Sequence, residues 1–383
     1  MADQFQILLS LPPCSASDYA EREQRPFPAW YACSDPVGSH LDSGGGTAWL
    51  LHQAWQRQRQ DAADLSFGDW LSQSRKVLIH AGGESRRTPA YAASGKALVP
   101  MPVWRWSHGQ HLEQTLLELQ LPFMRGVLRD APEDIVLAVA SGDVLLRGAI
   151  PAVPPCDVAC LGVWSTPEQA SRHGVFFCRR DEQEQLAFVL QKPSRETVCE
   201  LVEKHNFLLD TGLWLFSRRA VMALMRKCGW DEAQGGFPDG PRSYSLYGSW
   251  GEAMGTTPSR PDAALADFRC VVLPLAPGAF NHFGTSRELV QTTVAIQNSR
   301  IEQSQHIGHF PRHPGIITQN AVIGGTLHSN NQSIWIENSH VPVGWQLASD
   351  HVITGVPAND WQLTLPAGVC LDVVPVGDHQ YCL

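Results

Sequence analysis

The chain has 383 residues, 43% of them hydrophobic and 17% charged, with 32 Gly and 27 Pro. That composition can bury a sizeable core and excludes a largely disordered or collagen-like polymer. Its 29 Lys and Arg against 38 Asp and Glu leave a net charge of −9, which disfavours a broad cationic face for wrapping nucleic acid. A small phosphorylated ligand, held by a few local cations and a metal ion, stays open. Length alone suggests two to three domains at roughly 150 residues each. Met1–Ala20 lacks a basic stretch followed by an apolar core, and no run reaches ~18 uncharged apolar residues, so neither a secretory leader nor a membrane span is expected. Ten scattered cysteines without tandem zinc-type pairs predict reduced, mostly buried thiols in the cytoplasm.

In chain order, Gln6–Leu11 is an apolar run stopped by Pro12-Pro13, and it predicts a strand. Ala29–Cys33 predicts a second. Gly44–Thr47 is a glycine-rich turn opening a helix with Ala48, Leu51 and Trp55 on one face; whether the turn serves nucleotide or packing is left open. Val77–His80 reads as a strand ended by Gly82-Gly83, and Leu112, Leu116 and Leu119 repeat at helical spacing. Ile135–Ala140 is continuously apolar, as in a strand covered on both faces, and ends at Ser141-Gly142-Asp143. Further strands are expected at Val158–Trp164, Val175–Cys178, Leu186–Leu190 and Leu213–Phe216. Helices are expected around Val198–Val202 and Val221–Cys228, the latter ended by Gly229. This alternation predicts an α/β fold with a mostly parallel sheet and helices on both faces. Residues 230–262 read as a long loop with one short helix. From about residue 296 the pattern changes. Ile317, Ile323, Trp335, Val341, Leu347 and Ile353 fall on a six-residue lattice broken only at Ser329, which suggests parallel β-helix coils over residues 296–383 after a core at 1–295.

The strongest chemical signal is His80-Ala-Gly-Gly-Glu-Ser-Arg-Arg-Thr-Pro89, followed by Gly95-Lys96. Adjacent glycines let backbone amides approach a phosphate, and Arg86, Arg87 and Lys96 add positive charge to an acidic chain. The spacing fits neither a Walker A loop nor Gly-x-Gly-x-x-Gly. Asp143 follows a buried strand, at the carboxyl edge where open α/β sheets bind ligands, and a carboxylate there suits Mg²⁺. Lys192 stands at a strand end before Pro193, and Asp210-Thr211-Gly212 can face hydroxyl groups. His282 lies in a tight apolar segment, Phe280–Thr285.

Taken together, Gly-Gly-x-Ser-x-Arg, Lys, a strand-end Asp, Lys-Pro and Asp-Thr-Gly resemble the sugar-1-phosphate nucleotidyltransferases. The longer strings His80–Pro102, Ala140–Val144, Phe188–Ser194 and Phe280–Gln297 resemble the GDP-L-fucose pyrophosphorylases, in particular the N-terminal half of the bifunctional L-fucokinase/L-fucose-1-phosphate guanylyltransferases. The resemblance implies a Rossmann-like nucleotidyltransferase core followed by a left-handed parallel β-helix-like domain. It implies the reaction of GTP with L-fucose-1-phosphate to give GDP-L-fucose and pyrophosphate. By the same resemblance, Gly82, Gly83, Ser85, Arg87 and Lys96 contact nucleotide, with Arg87, Lys96 and Lys192 catalytic. Lys192, Asp210 and Gly174 face the sugar phosphate, and Asp143 with His282 takes the metal, Mg²⁺. Two departures stand out. His282 replaces a second Asp in a Trp-Leu-Asp-x-Gly-like segment, and Gln191 replaces a frequent Glu. No Pro-x-Gly-x-Gly-x-x-Ser-Ser kinase loop is present, so a standalone transferase and a piece of a longer kinase-containing chain are both open. Another base or sugar, or a non-catalytic scaffold of the same fold, is the competing reading; no nucleic-acid or membrane partner is expected.

Overall fold

The computed structural model describes every residue except 1–4, 84, 103–113, 150, 302–314, 329 and 379, and the side chains of 298–301. Leu112 and Ser329 therefore lie outside the described residues. The chain forms two compact units: Met1–Gly83 with Leu117–Phe280, and Glu84–Leu116 with Asn281–Leu383. None of the ten cysteines is in a disulfide; five are buried, fewer than expected.

The first unit carries strands β1 (Phe5–Ser10), β2 (Trp30–Cys33), β3 (Arg75–His80), β4 (Ile135–Ser141), β5 (Val144–Gly148), β6 (Val158–Val163), β7 (Gly174–Arg179), β8 (Leu186–Gln191), β9 (His205–Ser217) and β10 (Cys270–Pro274). The central sheet runs β10-β6-β9-β4-β3-β1-β2, with β7 and β8 continuing from β9. Strands β1 to β4, β6 and β10 point the same way, and β9 runs against β4 and β6. The apolar runs are strands because both faces are covered: Ile135–Ala140 is buried throughout, as are Ile7–Leu9 and Val77–Ile79. Parallel alignment brings the ends of β1, β3 and β4 to one edge.

Strand β9 is longer than Leu213–Phe216. It starts at His205 and takes in Asp210-Thr211-Gly212, which lies ahead of the strand expected from sequence. The triplet stays in the strand because its polar groups are satisfied within the sheet. Thr211 Oγ1 donates to the Leu161 carbonyl at 2.8 Å, and Asp210 Oδ1 accepts from the Gly212 amide at 2.8 Å and Trp214 Nε1 at 2.9 Å. Gly212 has φ +74°, open to glycine at little strain.

The glycine run is not a loop before a helix but the first turn of an 18-residue helix, Asp42–Arg59. The Gly44 and Gly45 amides both donate to the Tyr244 carbonyl, at 2.8 and 3.0 Å, and a Cβ on Gly45 would meet the Arg242 carbonyl at 2.6 Å. Those two glycines let the 242–246 segment lie against the helix. Helix Leu116–Arg129 extends past the expected leucines despite Pro122. The Arg218–Lys227 helix is capped by Ser217 and followed by Gly229 at φ +91°. Between residues 230 and 262 only Leu246–Trp250 and Gly251–Ala253 are helical.

The chain passes into the second unit within β11 (Gly278–His282). After the Ser286–Ile301 helix come β12 (Ile316–Ile323), β13 (Ile334–Val341), β14 (Gln346–Leu347), β15 (His351–Thr354), β16 (Thr364–Leu365) and β17 (Cys370–Asp372). Strands β12, β13, β15 and β17 pair in parallel, as do β14 and β16. Ile317, Trp335, Val341 and Ile353 of the lattice are buried; Val341 and Ile353 share a core with Ile334 and Ile336, against which Ile323 and Leu347 pack partly buried, while Ile317 and Trp335 lie outside that core. The signature segment after Gly83 belongs to this unit: Tyr91 Oη donates to Glu337 Oε2 at 2.7 Å and accepts from Trp335 Nε1 at 2.8 Å.

Candidate active site

At the strand edge of the first unit, the Ala81 amide donates to Ser10 O and the Gly142 amide to His80 O, tying the ends of β1, β3 and β4 together. A Cβ on Gly142 would lie 2.7 Å from the His80 carbonyl, so only glycine allows this approach. Gly83 has φ +97° and nothing within 4 Å of a would-be Cβ, so backbone conformation and not crowding favours glycine there. Gly82 and Gly83 line a cavity of about 470 Å³ with Asp35, Asp42, His40 and His80. His80 Nε2 meets Thr47 Oγ1 at 2.8 Å, and burial pushes its pKa down to about 4 against a smaller upward pull from Asp42. The ring is therefore neutral and holds the Asp42–Arg59 helix to β3. Burial also raises the Asp35 carboxyl above its ordinary value, opposed by the Leu41 amide.

Asp143 lies just past β4, 6% exposed, and its Oδ1 accepts from Ser141 Oγ at 2.5 Å. The turn is held by Gln120, whose Nε2 donates to Gly142 O at 3.1 Å and to Val144 O. Asp210 and Gly174 meet beside it in the sheet. A Cβ on Gly174 would stand 3.3 Å from the Asp210 side chain and 3.0 Å from Gln191 Nε2. Burial raises the Asp210 pKa to about 6, with its bonds from Trp214 and Gly212 acting the other way. Gln191 Nε2 donates to Tyr247 O at 2.6 Å, a bond that a glutamate in its place would lack. Lys192 follows at φ +47°, its amide on His173 O at 3.0 Å and its side chain exposed. A non-glycine residue in the left-handed region costs about 1 kcal/mol, so the turn presents this ammonium at some strain.

The other expected residues lie in the second unit. Ser85 is buried at φ +44° with no partner for its Oγ. The Arg87 carbonyl accepts from the Ser286 amide at 2.8 Å, while its side chain is exposed. Lys96 opens the short 3₁₀ turn Lys96–Leu98 after Gly95, which has φ +94°. His282 Nδ1 lies 3.1 Å from Glu288 Oε2. The structure thus groups Gly82, Gly83, Asp143, Gly174, Lys192 and Asp210 in one unit, and Ser85, Arg87, Lys96 and His282 in the other. Among the described residues no three His, Cys, Asp or Glu side chains come together in a metal-binding group. Gln120, Tyr247 and Trp214 escape the sequence reading. Gln120 alone left a signal, a buried amide in an otherwise apolar helix face.

Residues 68–234 match the fucose pyrophosphorylase domain. The L-fucokinase/L-fucose-1-P guanylyltransferase of Bacteroides fragilis is 44% identical over 380 residues, 98% of this chain and 39% of that protein. Over residues 68–234 the chain is similar to the fucose pyrophosphorylase family. A second relative, the bifunctional fucokinase/GDP-fucose pyrophosphorylase of Arabidopsis thaliana, is 26% identical over 48% of this chain and 19% of its own length. The chain thus spans about two-fifths or less of either bifunctional relative. A solved structure titled mannose-1-phosphate geranyltransferase, from Thermus thermophilus, covers 98% of this chain and 93% of that one, at a TM-score of 0.36 and 14% identity. The fucose pyrophosphorylase match takes in Gly82, Gly83, Ser85, Arg87, Lys96, Asp143, Gly174, Lys192 and Asp210, and leaves His282 outside it.

Proposed function

We propose that this chain is an L-fucose-1-phosphate guanylyltransferase, converting GTP and L-fucose-1-phosphate into GDP-L-fucose and pyrophosphate. The observation that carries the reading is that residues 68–234 match the pyrophosphorylase domain, not a kinase, while 98% of the chain aligns with a relative named for both activities. A sugar phosphate oxygen attacks the α-phosphorus of GTP in line, forming the new P–O bond as the bond to the β-phosphate oxygen breaks and pyrophosphate leaves. The attacking oxygen is already anionic at neutral pH, so the barrier lies in bringing polyanions together and not in moving a proton.

Arg87 and Lys96 contact the triphosphate, and the Gly82-Gly83 turn lets backbone amides approach it. Lys192, exposed and held by its strained turn, meets the sugar phosphate as a compact point charge. Asp210 and the open face at Gly174 receive the sugar. With Mg²⁺ bound, the ion would neutralise charge on the phosphates. Asp143 fits that task, because Mg²⁺ commonly takes one or two carboxylates and completes its shell with phosphate oxygens and water. His282 fits it poorly, as an imidazole already facing Glu288 where Mg²⁺ prefers oxygen ligands. For the second unit we infer a left-handed β-helix-like domain. The support is register: Ile317 pairs Trp335, Trp335 pairs Val352 and Val352 pairs Cys370, which are 18, 17 and 18 residues on, close to three turns of the six-residue lattice per coil.

A matrix of the four nucleoside triphosphates against several sugar-1-phosphates, read by pyrophosphate release, tests the reading. Turnover highest with GTP and L-fucose-1-phosphate is expected. A preference for another base or sugar would reassign the substrates, and no turnover with any pair would leave a scaffold.

A further inference from the structure

The second unit holds a cavity of about 350 Å³ lined by Arg87, Arg287, Thr285, Ser286, His351 and Asp350, with apolar and backbone walls from the neighbouring strands. We propose that this cavity is an anion site that takes a phosphoryl group. Three independent features point there.

First, the cavity sits at the start of the 16-residue helix Ser286–Ile301, where partial positive charge accumulates and the first amides lack intrahelical acceptors. Thr285 Oγ1 caps the Glu288 amide at 3.0 Å and the Ser286 amide goes to Arg87 O, so the Arg287 amide has no carbonyl behind it in the first turn. Second, two guanidiniums line it in a chain with net charge −9, against one carboxylate, Asp350. Both are exposed and so cost little to swing onto a ligand, and their forked donors match phosphate oxygens. Third, His351 is fully buried on the cavity wall, and beyond the Val369 backbone beside its ring neither Nδ1 nor Nε2 meets a hydrogen-bond partner among the described residues. A buried imidazole short of partners is costly, and a phosphoryl oxygen would accept from it. Burial holds its pKa below the ordinary imidazole value despite the nearby Val369 backbone and Asp350, so it serves as a neutral donor.

The volume lies at the lower end of the ~300–1,000 Å³ typical of small-ligand pockets, which suits a pyrophosphate or sugar phosphate more than a whole nucleotide sugar. Such a group could belong to the nucleotide substrate or to a separate phosphorylated metabolite.

Calorimetry on the full chain with inorganic phosphate as probe, without turnover, tests the site. Wild type should bind, and Arg287→Ala should weaken binding by at least tenfold. Arg287→Lys should fall between, since it keeps charge but loses the fork. Arg287 is exposed, and a thermal melt confirms that the variants fold. Unchanged phosphate affinity in Arg287→Ala, or no binding to wild type, would overturn the proposal. If saturating GTP displaces the phosphate and Arg287→Ala raises the KM for GTP, the group is the nucleotide's. If phosphate still binds and that KM stays put, it belongs to a second ligand. Because binding is read directly, loss of turnover with phosphate binding intact would count against the transferase reading and not against this site.

Discussion

Substituting Gly45 sets two known effects against each other. Inside an exposed helix, glycine to alanine stabilises by roughly 1 kcal/mol, because alanine loses less backbone entropy. At Gly45, however, the new Cβ would fall 2.6 Å from the Arg242 carbonyl and 3.4 Å from the Tyr244 amide nitrogen. Real Cβ atoms do not approach oxygen so closely, so the 242–246 segment must move. Overpacking of this kind costs about 1–3 kcal/mol. The movement also strains the bonds from the Gly44 and Gly45 amides to Tyr244 O, about 1 kcal/mol each when lost. Taking about 2 kcal/mol for the clash and 1–2 for the bonds, less the helix gain, Gly45→Ala should destabilise by about 2–3 kcal/mol. Gly68 is the control. It lies in the Phe67–Gln73 helix with nothing within 4 Å of a Cβ, so Gly68→Ala should stabilise by about 0.5 kcal/mol. Urea unfolding read by tryptophan fluorescence, at constant m, gives both differences. Equal stability of the two variants would refute the packing account. Wild-type stability with weakened GTP binding in Gly45→Ala would return the glycine run to nucleotide.

Arg87→Ala should lower kcat by ~10²-fold or more, about 2.7 kcal/mol, with little change in melting temperature; near wild-type turnover would remove it from the mechanism. Asp143→Asn should move the Mg²⁺ midpoint for turnover to much higher concentration, and an unmoved midpoint would make Asp143 only a turn residue. Lys192→Ala should raise the KM for L-fucose-1-phosphate by roughly tenfold to a hundredfold, about 1.4–2.7 kcal/mol, and change calorimetric GTP affinity by less than about threefold. Loss of GTP affinity alone would show the subsites misassigned. Asp210 has its folded pKa raised to about 6, so the stability it contributes is present at low pH and lost as pH rises through about 6. Asp210→Asn keeps an oxygen for Trp214 and Gly212 but no charge; its stability relative to wild type should rise between pH 4 and 7, by up to about 3 kcal/mol. A flat difference across that range would show that Asp210 stays ionised.

Much of the first unit was legible because its strands are buried on both faces, so Ile135–Ala140 or Val77–Ile79 needs no partner to be recognised. The Arg218–Lys227 helix was equally plain, with its apolar stripe and Gly229 stop. The six-residue lattice met the core of these strands only at Val341 and Ile353, with Ile323 and Leu347 beside it, because side chains alternate along a strand and Ile334 and Ile336, not Trp335, face that core. Where polar groups find partners across space, local pattern misleads. Asp210-Thr211-Gly212 falls outside the apolar run that marks the strand, yet lies in β9 because Leu161 and Trp214 satisfy it. Gln191 reads as a departure from the family pattern, yet donates to Tyr247 O, 56 residues away.

The sequence by itself determined which residue types carry charge and where the backbone must turn: the Gly82-Gly83 stop, the Arg87 and Lys96 cations, the strand-end Asp143 and Lys192-Pro193. These are local properties of side chain and φ/ψ, and they survive any arrangement of the rest. Only the tertiary structure decided what each glycine run faces and which polar atoms are left over. Gly44 and Gly45 turn out to receive Tyr244 and Arg242, because a segment about two hundred residues later folds back onto that helix. His351 turns out to be buried on the wall of the cavity that Arg287 also lines, with little but the Val369 backbone for its ring, because strand register sets which of its neighbours reach it. Burial and pairing at long sequence separation follow from packing, and no spacing in the chain encodes them.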